Sequence, residues 1–215
     1  MKSKIDTHPS LPYIIPFVVF LILTGISSYT SLSPLWIYPI KAIIVGILLL
    51  GFKRYYTEIR IKFSFLALVA GLLVFIAWIA PDGYYPLLGK PGSFDPYELG
   101  SNSIVILWIC FRMIGAVVVV PIMEELFWRS FLTRYLINSD FKSVPIGKFS
   151  WLSMIITVIL FGVEHQQWLP GIFAGIIYNL LLYRTKSIFS CIIAHALTNL
   201  MLGIYVLITH QWAYW

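Results

Sequence analysis

Seven apolar runs dominate this sequence and leave little else to fold. They extend over about Leu11 to Tyr29, Trp36 to Phe52, Phe63 to Ala80, Ile104 to Ile137, Phe149 to His165, Leu169 to Tyr183 and Ser187 to Thr209. A helix that crosses the hydrocarbon core needs about 20 mostly apolar residues. The runs are therefore predicted as membrane helices, the fourth too long for one simple span and the sixth short. Of the 215 residues 60% are apolar and 11% charged, against roughly 45–50% and about 25% in a soluble domain. That balance excludes a water-soluble globule, intrinsic disorder, a disulfide scaffold and a nucleic-acid-binding domain. The expected fold is all-α: a multi-pass membrane helical bundle of about seven transmembrane helices around an intramembrane polar cavity.

The first run follows Lys2 and Lys4 as a signal peptide would, but it is long for a signal core and no small-x-small site closes it. It reads as a retained helix. Cys110 and Cys191 lie inside apolar runs, where each is expected to be a small buried apolar residue.

Charge placement gives an orientation, because basic residues accumulate in cytoplasmic loops. With the N-terminus inside, Lys2, Lys4, Lys53, Arg54, Arg60, Lys62, Arg134, Lys142, Lys148, Arg184 and Lys186 are internal, and Lys90 alone lies in an external loop. Lys41, Arg112 and Arg129 complete the 15 basic residues and fall within helices. The expected topology has the N-terminus cytoplasmic and the C-terminus external. The segment around Asp82 to Glu98 is one sizeable irregular outer loop. Tyr84, Tyr85, Trp168, Trp212 and Trp215 read as an interfacial belt, His8 and His210 as solvated or interfacial, and Arg112 as a snorkelling side chain.

Ionisable residues inside a span are costly, so they carry the functional signal. Three groups occur: Glu124-Glu125 with Arg129, Glu164-His165, and His195 with Asn199. Counted from the inner end of each run, Glu124 lies roughly 21 Å deep, His165 roughly 24 Å and His195 roughly 16 Å, at ~1.5 Å per residue. Segments distant in sequence thus deliver polar groups to one layer. Glu125 and Arg129 are i and i+4 on one helix face, acid before base, and form an expected ion pair. Glu124 points about 100° away and is left without that partner. His195 and Asn199 also share a face. A carboxylate in a low-dielectric pocket suits a general base, a neighbouring histidine can relay the proton, and histidine with asparagine can donate to an oxyanion. The parts suit amide hydrolysis.

Glu124-Glu125-x-x-x-Arg129, Phe161-x-x-x-His165 and His195-x-x-x-Asn199, in that order on successive helices, resemble the CPBP family. These are the CAAX-protease and bacteriocin-processing (Abi) intramembrane proteases, related to the Rce1-type prenyl protease. The resemblance spans roughly 104–205. The length fits one integral membrane domain over 1–215, in which 1–103 supply three helices that carry no signature and the outer loop, and 104–215 hold the helices that the resemblance makes catalytic. The resemblance implies Glu124, with His165, as activator of water, His195 and Asn199 as the oxyanion site, and Glu125 and Arg129 as support. Members of the family are described both as metalloproteases and as metal-independent glutamate proteases. No His-Glu-x-x-His is present, and the metal-free reading, with no cofactor, is preferred; two histidines with carboxylates also suit a divalent metal such as zinc. Trp128-Arg129-Ser130 departs from the family's usual Phe-Arg-Gly. The short chain and the Val163-Glu164-His165-Gln166-Gln167-Trp168 stretch are more similar to a bacterial subgroup found with exosortase systems. The expected partners are a membrane-associated protein or peptide substrate and the lipid bilayer, in a bacterial inner membrane, with oligomeric state open.

Other readings compete. A non-catalytic membrane scaffold or bacteriocin-immunity protein of the same fold needs none of the four polar residues. A proton-coupled transporter can use Glu and His, but no inverted repeat is visible. Cys191, His195 and Asn199 on one stripe suggest a cysteine protease, yet one rigid helix places nucleophile and base awkwardly. Gly171 and Gly175 form a small-residue stripe for close helix packing. The short sixth run with Pro170 is expected to make a turn that dips toward the site.

Overall fold

The structure is a computed structural model describing residues 8–29, 34–89 and 94–214. Lys2, Lys4, Lys90 and Trp215, used above for orientation and the interfacial belt, lie outside the described residues. Among the described residues, seven principal helices follow the apolar runs: α1 (Leu11–Tyr29), α2 (Pro34–Phe52), α3 (Phe65–Ile79), α4 (Asn102–Tyr135), α5 (Trp151–Val163), α6 (Trp168–Thr185) and α7 (Ile188–Thr209). Among the described residues there is no strand. Three helical stretches, Trp36–Tyr55, Asn102–Tyr135 and Ile188–Thr209, are long and apolar enough to cross a membrane by length and composition.

The bundle exposes large apolar side chains and buries a cluster of charged and polar ones within an otherwise apolar core. Ile47, Leu50, Ile106, Leu107, Trp151 and Ile208 are each more than half exposed, whereas Lys41, Glu124, Glu125, Arg129, Arg134, His195 and Thr198 are buried. A water-soluble protein would invert that pattern. Helix α5 packs on α6, α3 on α7 and α6, and α1 on α2. Small residues bring these pairs together. A Cβ on Gly171 would stand 2.9 Å from Gly162 Cα, and one on Gly175 3.2 Å from Val158 Cα. The Gly171/Gly175 stripe therefore seats α6 on α5. A Cβ on Gly71 would stand 2.7 Å from Ala194 O, so α3 presses against α7 beside His195.

Helix α4 is continuous over 34 residues but contains two π-helical stretches, Gly115–Val119 and Leu126–Leu132. The first ends just before Pro121, which supplies no N–H and displaces the carbonyl one turn back. Widening the turn accommodates it.

Several sequence expectations are corrected. The sixth run is longer than expected, a regular 18-residue helix with Pro170 in its first turn, where a missing N–H costs nothing, and the turn leading into it lines the cavity described below. Arg134 is no loop residue. It is buried at the end of α4, where it pairs with Glu58 at 3.4 Å and donates to Ser130 Oγ at 2.8 Å. Cys110 is exposed; Cys191 is buried as expected. Arg112 is half-buried, with its guanidinium 4.0 Å from the centre of the Tyr38 ring.

Candidate active site

Helices α4 and α7 and the turn after α5 bring the motif residues to one cavity of about 940 Å³. Glu124, His165, His195 and Asn199 all line it, with Glu164, Tyr178 and Thr198. Its mouth lies at the end of the bundle formed by Asp82, Leu87, Gln166, Gln167 and His210 to Tyr214. The exposed side chains Lys53, Arg54, Arg60, Lys62, Lys142, Lys148, Arg184 and Lys186 lie at the opposite end.

The two consecutive glutamates diverge. Glu125 is fully buried behind the cavity wall, and its Oε1 receives two donors: Arg129 Nη1 at 3.1 Å and His195 Nδ1 at 2.9 Å. Glu124 turns into the cavity, with its Oε2 4.0 Å from His195 Nε2. That oxygen has no hydrogen-bond partner among the described residues. The expected Glu125–Arg129 pair is present, and it carries His195 as a third member. Because the carboxylate accepts, His195 Nδ1 holds a proton and Nε2 faces Glu124.

His165 sits in the turn that ends α5, and its Nδ1 donates to Phe161 O at 2.8 Å. In the neutral ring Nε2 therefore keeps its lone pair. The Trp78 ring meets the His165 ring edge-on, with centroids 5.3 Å apart. Phe161 is the shared floor: its ring lies 4.9 Å from His165 and 6.3 Å from His195, and Arg129 Cζ stands 4.3 Å over it. Tyr178 stacks on His195 at 5.2 Å and donates to Thr198 Oγ1 at 2.8 Å, which in turn donates to Gly71 O at 2.9 Å. This chain fixes the imidazole plane.

Asn199 lines the cavity but does not stand free beside His195. Its Nδ2 donates to Ala116 O at 2.8 Å. In the π register the N–H of Val120 bonds to Gly115 O, so Ala116 O would look to residue 121, a proline without an N–H. Asn199 takes the orphaned carbonyl, leaving one amide N–H for other work.

Among the described residues, no three His, Cys, Asp or Glu side chains converge to hold a metal ion. Glu125 Oε1 and His195 Nδ1 satisfy one another, which removes two donors from such a set.

Sequence reasoning missed Tyr178 and Thr198, whose roles arise only when α6 and α7 pack. It also passed over Glu164 and Lys41 as site residues. Both line the cavity, and both were visible as charges within or at the end of apolar runs.

The architecture is thus an all-α bundle with an apolar exterior and a buried acid, histidine and amide cluster. Residues 106–201 match the sequence model of a family described as Type II CAAX prenyl endopeptidase Rce1-like. That span includes all three motifs, and the resemblance they carry is borne out over these residues. The matched family is one of peptidases, and the apolar helices accord with a membrane protein. No curated protein and no solved structure matches the chain.

Proposed function

We propose that this chain is an intramembrane endopeptidase that hydrolyses a peptide bond of a membrane-associated protein or peptide. The reading rests on Glu124, whose unpartnered carboxylate oxygen faces His195 Nε2 at 4.0 Å inside the cavity, while Glu125 and Arg129 are occupied with each other. That separation is beyond a hydrogen bond and suits one interposed oxygen. Glu124 accepts a proton from water, and the water oxygen attacks the carbonyl carbon. His195 Nε2, as an imidazolium braced by Glu125, and the second N–H of Asn199 donate to the oxyanion. The C–N bond then breaks, and the proton taken up by Glu124 passes to the departing amine with His165 Nε2 as relay. Metal-free chemistry is the preferred scheme, with a zinc-dependent one as the alternative. The proposed setting is a bacterial inner membrane, N-terminus cytoplasmic and C-terminus external; on that orientation the cavity opens outward.

The test is cleavage of a panel of membrane peptides by the purified, reconstituted protein, with Glu124→Gln as control and a chelator arm for the metal alternative. Products from the wild type and none from Glu124→Gln are expected. Equal cleavage by both overturns the assignment.

A further inference from the structure

The cavity holds a second polar feature that the hydrolysis does not use. Lys41 of α2 and Arg112 of α4 both line it, and they share the Tyr38 ring, with Lys41 Nζ 5.1 Å and Arg112 Cζ 4.0 Å from its centre. Lys41 is only 8% exposed. Its Nζ donates to Thr24 Oγ1 at 3.0 Å and lies 4.2 Å from the centre of the Phe20 ring. The cavity contains three carboxylates, Asp82, Glu124 and Glu164, yet among the described residues Lys41 forms no ion pair. A lysine buried for structure would pair with a protein carboxylate, since an ammonium held away from water is expensive. Here one hydroxyl and two ring faces hold it at the wall of an open cavity.

Its position relative to Glu124 gives a ruler. Arg112, Ala116, Val120 and Glu124 line the cavity in succession along α4. The twelve residues from Arg112 to Glu124 cover roughly 18 Å at ~1.5 Å each. An extended peptide spans that distance with about five residues at ~3.3 Å each. Arg112 is on the mouth side of Glu124, so a peptide entering the cavity passes it.

Resting on the hydrolysis proposed above, we propose that Lys41 and Arg112 form a subsite for a carboxylate of the peptide substrate, about five residues from the scissile bond. The carboxylate is an acidic side chain or a free C-terminus. A lipid phosphate fits less well, because Lys41 is turned into the cavity and shielded from the outer surface of the bundle.

Binding by the full-length Glu124→Gln protein tests this without cleavage. The probes are fluorescent apolar decapeptides with a C-terminal acid, a C-terminal amide, or an amide plus one internal aspartate, read by anisotropy in nanodiscs. At least one charged probe is expected to bind about tenfold or more tightly than the neutral amide, and which one does so separates the two carboxylate sources. Lys41→Met and Arg112→Met, each in the Glu124→Gln background, should bring the ratio close to one, while Lys41→Arg retains it. Lys41→Gln, which keeps a donor for Thr24, serves where Lys41→Met fails to fold. Equal binding of all probes, or a preference that survives both Met substitutions, overturns the subsite. An anionic phospholipid that co-purifies with the wild type and is lost in Lys41→Met, without any peptide preference, also overturns it and assigns the cations to lipid. A charge preference in a protein that cleaves nothing leaves the subsite standing and removes the hydrolysis. Cleavage without charge preference does the reverse.

Discussion

His195 Nδ1 lies 2.9 Å from Glu125 Oε1, the oxygen that also receives Arg129 Nη1 at 3.1 Å. The second glutamate of the motif thus joins the helix that carries it to the helix that carries the histidine. Its side chain is fully buried, so removing one partner strands a charge. Glu125→Ala and Arg129→Ala are each expected to cost about 3–5 kcal/mol. Glu125→Gln with Arg129→Met should recover stability better than either single change. Glu125 and His195 should also couple, by about 0.5–3 kcal/mol in a double-mutant cycle. Thermal melts of the purified variants check both cycles, and simple additivity in each would show that no network exists.

Glu124 presents the opposite case. Its Oε2 has no hydrogen-bond partner among the described residues and lies 4.0 Å from His195 Nε2, so Glu124→Gln removes a buried charge without breaking a hydrogen bond. The variant is expected to melt at or above the wild-type temperature while losing cleavage on a validated substrate. His165→Ala and His195→Ala should also abolish cleavage with insertion intact. Full activity in any of the three removes that residue from the mechanism.

The helices and the division of labour between the glutamates were legible because both follow from local rules. Apolar runs bounded by polar, Gly or Pro residues set α1 to α7, and the i, i+4 spacing tied Glu125 to Arg129. What escaped depends on helices meeting. Lys41 and Arg112 share Tyr38 only because α2 packs on α4. Arg134 leaves the solvent because Glu58, far away in sequence, reaches it. The fate of Asn199 depends on a π register that no hydrophobic period reveals.

Gly71 sets how closely α3 approaches α7. Its missing Cβ would stand 2.7 Å from Ala194 O, a backbone atom one residue before His195, and 3.1 Å from Leu197 Cβ. Backbone cannot yield as a side-chain tip does. Gly71→Ala is expected to cost about 1–3 kcal/mol and to displace His195 from Glu124, lowering kcat more than it raises KM. Steady-state kinetics with a melt of the same sample check this; wild-type kinetics would show that the helix pair tolerates the methyl group.

The proposed orientation rests on the exposed basic side chains at one end of the bundle, with Arg134 no longer counted among them. Reporter fusions after Lys62 and after Trp215 are expected on opposite sides of the membrane, the first cytoplasmic. A thiol introduced at Gln166, at the cavity mouth, should react with an impermeant maleimide added from outside. Both reporters on one side would refute the map, and labelling only after permeabilisation would turn the cavity inward.

Asn199 carries two demands that one experiment can separate. Its Nδ2 donates to Ala116 O at 2.8 Å, a carbonyl left without a helical donor because residue 121 is proline. Asn199→Leu should therefore cost about 1–3 kcal/mol, the penalty of a buried acceptor left unmade. Pro121→Ala restores an N–H at the point where α4 lacks one. In that background Asn199→Leu should cost markedly less stability, because the backbone then satisfies its own carbonyl. Additive losses in the four-variant cycle would deny the capping role. Activity reads the second demand. If the remaining amide N–H serves the oxyanion, Asn199→Leu loses cleavage even where Pro121→Ala has removed its structural cost. If Asn199 only caps the carbonyl, cleavage returns with the stability.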